Sequence, residues 1–131
     1  MSSYRDLKVY QMAYDAAKTV YKDVSSKLPK DEQYGLVSQL KRAATSIPLN
    51  IAEGYGKNAG GKELVRFLVM ARGSCAEMSV LIDFIKDFDF INENQHKYLS
   101  KTYEEIGKML TGLIQSVNKK ENHQTNLITN N

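Results

Sequence analysis

An all-α fold, an antiparallel up-and-down bundle of four helices, is predicted by two observations. Apolar residues recur at steps of three and four over four long segments, and no segment alternates with period two. The joints between the segments carry helix-stopping chemistry: Leu28-Pro29, the glycine-rich run at 54–62, and Asn92 with Gln95. At 131 residues and 14.8 kDa the chain has room for one core, so residues 1–120 are expected to form a single domain.

The first helix is expected from Asp6 to about Leu28. Val9, Tyr10, Ala13, Tyr14, Ala17, Val20, Tyr21, Val24 and Leu28 share a stripe, with Lys8, Asp15, Lys18 and Lys22 opposite. Tyr10, Tyr14 and Tyr21 thereby read as packing residues. A proline at 29 pushes Leu28 out of the α region and ends the helix.

The second helix opens near Asp31 and Glu32, acids suited to the positive end of a helix, and runs to about Gly54. Leu36, Leu40, Ala43, Ala44, Ile47 and Ile51 form its stripe. Pro48 lies within that pattern, so the expectation is a continuous helix kinked there, with a clean break as the alternative. Residues 54–62, GYGKNAGGK, read as the loop to the third helix.

Between Glu63 and about Asp87 the third helix carries one apolar face of Leu64, Phe67, Leu68, Ala71, Cys75, Met78, Ile82 and Ile85. Val69, Gly73, Ala76, Val80 and Phe84 fall on a second apolar face. One four-helix protomer covers only the first, which makes the second a candidate interface in a homo-oligomer.

The fourth helix begins with Asn92 and Gln95 in capping-box spacing. Its stripe is Leu99, Tyr103, Ile106, Leu110, Leu113 and Val117, ending at Lys119 and Lys120, cations well placed at a helix C-terminus. Residues 121–131 are polar and aperiodic and are expected to be a disordered tail.

No window approaches the ~20 apolar residues of a membrane span, and the N-terminus lacks the apolar core of a signal peptide. Cytoplasmic residence, with no membrane partner, is the expectation. Cys75 is the sole cysteine and sits in an apolar pattern, so it reads as core filler. A net charge of +3 and a pI near 8.9 permit contact with an acidic polymer without demanding it.

Three stretches, DLKVYQMA, YGLVSQLKRAATSIPLNIAEGYG and FLVMARGSCAEMSVLI, together resemble the four-helix bundle proteins encoded within intervening sequences of bacterial 23S ribosomal RNA, also labelled S23 ribosomal proteins. The resemblance spans roughly residues 5 to 119. It implies a ring-like homopentamer. The family is also similar to the accessory protein of diversity-generating retroelements, a basic branch that binds nucleic acid and partners a reverse transcriptase.

Gln39, Arg42, Ser46, Asn50 and Glu53 match polar positions of the family motif and project from one face of the second helix, with Ser74 and Glu77 one turn apart on the third. Such a stripe reads first as an interhelical hydrogen-bonded network, with Arg42 neutralising Glu53 or Glu77. The alternative is a ligand or RNA surface in which an arginine and amides grip phosphate or a base edge.

Catalytic chemistry finds no support. Gly56, Gly61 and Lys62 have the spacing of a phosphate-binding loop, yet a helix precedes them and Glu63 replaces the hydroxyl that holds magnesium. Glu93 and His96 supply only one of the two Glu-x-x-His repeats of a di-iron bundle, and read as solvent-facing. Neither Cys75 nor Ser74 has a base in evidence. No catalytic residue, metal site or cofactor is assigned.

Lys18, Lys22, Lys41, Arg42, Lys57, Lys62, Arg66 and Arg72 are the candidate contacts to nucleic-acid phosphates. The expected function is therefore a non-enzymatic homo-oligomeric module binding RNA or DNA. A protein-interaction scaffold with no direct nucleic-acid contact is the alternative.

Overall fold

The computed structural model describes residues 3–56 and 60–130, the last seven by backbone alone. Among these residues there are four α-helices and no strand: α1 (Lys8–Thr19), α2 (Leu36–Gly56), α3 (Gly61–Asp87) and α4 (Glu93–Asn130). They pack in a closed cycle, α1 on α2, α2 on α3, α3 on α4 and α4 on α1. The core is built from aliphatic, Met, Cys and aromatic side chains: no charged, amide, Ser or Thr side chain is buried among the described residues.

The first helical segment is longer than α1 alone. A π-helical turn, Val20–Val24, and a 3-10 turn, Ser25–Lys27, extend it to Leu28. Ser25 stabilises the wide turn, because its N–H bonds the Val20 carbonyl and its hydroxyl donates to the same oxygen at 2.8 Å. The extended Leu28 and Pro29 then break the path as expected.

Residues 30–32 form a separate 3-10 turn, and α2 proper starts only at Leu36. Glu32 contributes by accepting from the Leu36 N–H at 3.2 Å, capping the helix it was expected to begin. Helix α2 is continuous through Pro48, so the clean break is excluded.

The glycine run holds more helix than predicted. Gly54 and Gly56 belong to α2 and Gly61 to α3, which leaves the connection far shorter than nine residues. Packing outweighs the low helix propensity of glycine at Gly54, which is buried against Leu64 and Phe67 of α3 where a side chain has no room.

The capping box of α4 is formed in both directions. Gln95 N–H donates to Asn92 Oδ1 at 2.8 Å, and Asn92 N–H to Gln95 Oε1 at 2.9 Å. The far end departs from expectation, since helical backbone continues through Asn130 in place of a disordered tail. No proline or glycine follows Gly112 to stop it, and Glu121 anchors the extension by accepting the Gly61 N–H at 3.0 Å, a carboxylate at the positive end of α3.

No helix among the described residues is long and apolar enough to cross a membrane.

Candidate functional site

The polar stripe forms a seam between α2 and α3 within one chain. Arg42 Nη2 donates to Glu77 Oε2 at 2.7 Å, one turn from a hydroxyl-to-hydroxyl contact between Ser46 and Ser74. Asn50 Nδ2 donates to the Ser46 carbonyl at 2.8 Å. Arg42 thus takes Glu77 as its salt-bridge partner, while Gln39 and Glu53 lie exposed at the two ends of the stripe. These helices present small hydroxyls where they approach each other and ions where water still reaches.

The eight candidate phosphate contacts are divided by the fold. Arg42 is engaged in the α2–α3 seam. Arg66 pairs with Glu63 at 2.6 Å and lies over the Phe67 ring, and that carboxylate holds its guanidinium above the usual value. Arg72 reaches Thr111 on α4 at 3.4 Å, and Lys62 is exposed at the start of α3. Lys57 lies outside the described residues. Lys18, Lys22 and Lys41 converge around the outer side of the α1–α2 contact.

That convergence surrounds a feature the periodicity misread. Tyr14 and Tyr21 are not core residues: they are 48% and 47% exposed and, with the half-buried Tyr10, line a groove of about 530 Å³ between α1 and α2. The true core face is Val9, Ala13, Ala16 and Ala17 on α1, continued by Val20 and Val24 of the π-helical turn. Its alanines bring α1 close to α2, which leaves the bulky rings on the flank. Thr45, Pro48 and Leu49 form the opposite wall. The ammonium of Lys18 lies 5.3 Å from the Tyr14 ring centre and that of Lys41 4.7 Å from the Tyr21 ring centre. The tyrosine spacing in the sequence carried the signal, because Ala13, Ala17 and Val20 already filled a helical stripe beside it.

On α3 the second apolar face stands uncovered within the protomer. Val69, Val80 and Phe84 are exposed, as are Gly73 and Ala76, and Phe84 stacks on the equally exposed Phe88 with ring centres 5.9 Å apart. Phe88 extends the patch by one turn beyond the predicted residues.

Packing accounts for several further polar and titratable side chains. His96 is not solvent-facing but half-buried, with Nε2 2.8 Å from Asp83 Oδ1, tying α4 to α3. Tyr55 packs against the core, and burial raises its phenol above the ordinary value. Cys75 is buried, which pushes its thiol up to about 12 and makes a thiolate nucleophile unfavourable. No group of three potential metal ligands exists among the described residues.

The sequence profile described as the 23S rRNA-intervening sequence protein matches residues 5–112. The chain belongs to that family. Its fold is shared with a solved structure, a protein of unknown function from the S23 ribosomal protein family of Bacteroides thetaiotaomicron VPI-5482. That structure is 19% identical over 82% of this chain and 95% of its own length, with a TM-score of 0.74. No curated protein matches the chain. The profile ends at 112, so the last turns of α4, including Glu121, lie beyond the part matched to the family.

Proposed function

We propose that this family member is a non-enzymatic homo-oligomeric module, built on an antiparallel up-and-down four-helix bundle, that binds nucleic acid, RNA foremost, largely through charge. The observation that supports binding most directly is the gathering of Lys18, Lys22 and Lys41 at one groove. A charge of +3 per copy becomes a stronger field when copies assemble with that groove outward. Antiparallel neighbours are supported by contacts at both ends of the α3–α4 pair: Asp83 with His96 near one end, Gly61 with Glu121 at the other.

Self-association is supported by the uncovered α3 stripe of Val69, Gly73, Ala76, Val80 and Phe84. Five subunits are proposed on the family resemblance. Ala76→Glu or Gly73→Glu introduces an unpaired charge into that face and is expected to disperse the assembly, read by light scattering. An unchanged mass removes the face from the interface.

Gel shift with labelled structured RNA over a salt series tests the binding. Affinity is expected to fall linearly on logarithmic axes as salt rises. Absence of a shift in low salt, or indifference to salt, defeats the reading.

The same α3 stripe also favours a second reading, a scaffold that binds another protein without touching nucleic acid. Native capture with and without nuclease separates them: partners lost on nuclease treatment support nucleic-acid binding, and partners retained support the scaffold.

A further inference from the structure

We infer that the α1–α2 groove is a site for unpaired bases of a single-stranded polynucleotide, with Tyr14 and Tyr21 as stacking platforms and Lys18, Lys22 and Lys41 as phosphate contacts. The inference rests on the nucleic-acid reading above and narrows it to one surface and one form of ligand.

Tyr14 and Tyr21 are exposed rings on one continuous helical segment, Tyr14 stacked on Tyr10. Each carries an ammonium over a face that a base takes when the flexible lysine swings to its phosphate, the combination that sequence-tolerant single-strand binding requires. Every base offers a π-face to a ring, and every nucleotide brings a phosphate within reach of the neighbouring cation. Tyr14 on α1 and Tyr21 in the π-helical turn that continues it are seven residues apart, so their rise along the segment is about 10 Å. Stacked bases are separated by about 3.4 Å, so each ring receives its own base. A duplex hides its base faces and cannot use these rings.

The opposite wall suits the same ligand. Pro48 carries no N–H to satisfy, and Leu49, 65% exposed, offers an apolar edge for a base or sugar. Asp15 holds Lys18 at 3.5 Å with both side chains in water. A pair of that kind is weak and yields to a phosphate. Lys22, next to Tyr21 in the chain, is exposed and lines the groove.

The test uses the full-length protein and fluorescence anisotropy with labelled oligouridylate, oligothymidylate and a hairpin RNA duplex of matched charge. The single strands are expected to bind more tightly than the duplex, and the two single strands together show whether a ribose is required. Tyr14→Ala with Tyr21→Ala is expected to weaken single-strand binding by about tenfold or more without changing the salt slope. Tyr14→Phe with Tyr21→Phe retains the affinity, because stacking needs the ring and not the hydroxyl. Lys18→Gln with Lys22→Gln lowers the salt slope by about one to two.

Circular dichroism confirms that each variant is folded. Wild-type RNA binding that survives the double alanine change overturns the groove while leaving the broader reading intact. No binding of any probe by the wild type defeats both. A changed molar mass in the double alanine variant assigns the groove to contacts between copies, and that also overturns the inference.

Discussion

Arg42 Nη2 lies 2.7 Å from Glu77 Oε2, joining α2 to α3 where the two side chains are still 64% and 37% exposed. Water screens that ion pair, so its contribution is small, with a coupling below about 1 kcal/mol. A double-mutant cycle of Arg42→Ala and Glu77→Ala by urea unfolding measures it. A coupling of several kcal/mol would mean that assembly buries the pair.

One turn along the same seam the balance is different. Ser46 and Ser74 satisfy each other in a half-buried position. Ser46→Ala alone leaves the Ser74 hydroxyl short of a partner and is expected to cost about 1 kcal/mol, whereas the double alanine variant is expected to be nearly neutral. Additive losses in the same unfolding assay would show that the hydroxyls do not act as a pair.

Two helical glycines give opposite expectations. At Gly54 a Cβ would stand 2.9 Å from Leu64 Cδ1 and 3.0 Å from Phe67 Cβ, so Gly54→Ala forces α2 and α3 apart and costs about 1–3 kcal/mol. At Gly73 nothing lies within 4 Å of that position, and Gly73→Ala stabilises an isolated protomer by up to about 1 kcal/mol through helix propensity. Thermal melts of both variants check the contrast. A loss at Gly73 would indicate another copy packed closely against it.

Alkaline pH acts through Cys75. Its thiol is pushed from 9.0 up to about 12 by burial, so in the window between those values the unfolded chain sheds a proton that the folded chain keeps. Stability is full below the window and falls as pH rises through it, at most by about 1.4 kcal/mol per pH unit. Cys75→Ala should flatten the difference between urea midpoints measured at neutral pH and within that window. An equal alkaline loss in wild type and variant would exclude the thiol as its source.

Tyr103 sits beside Cys75 with its hydroxyl buried and without a hydrogen-bond partner among the described residues, and burial raises its phenol well above the ordinary range. Removing an unsatisfied polar atom relieves a desolvation cost, so Tyr103→Phe is expected to be neutral or stabilising by about 1 kcal/mol. Destabilisation in urea would show that the hydroxyl has a partner in the assembled protein.

Much of the fold was legible because helix periodicity and capping are local. The Asn92–Gln95 box depends on residues three apart, and Leu28-Pro29 on adjacent ones, so both could be read directly. Neighbouring apolar residues were harder to rank: Val37 is buried where Leu36 is only half-buried, and Ile114 where Leu113 is. A stripe drawn at 100° per residue admits either member of such a pair. The same ambiguity covers the tyrosines of the first helical segment, since Tyr14 and Ala13 are both consistent with the stripe. Only the closeness of α2 decided that the alanine goes inside.

From its residues alone this chain determined four helices, their apolar faces, the surplus face on α3 and the small-residue polar seam of the family motif, because each depends on spacing along one helix. Tertiary structure decided which acid meets Arg42, that Ser46 meets Ser74, and that three of the eight basic candidates gather around two exposed tyrosines. Those facts depend on the distance and rotation between helices, set by how closely alanine and glycine let their backbones approach.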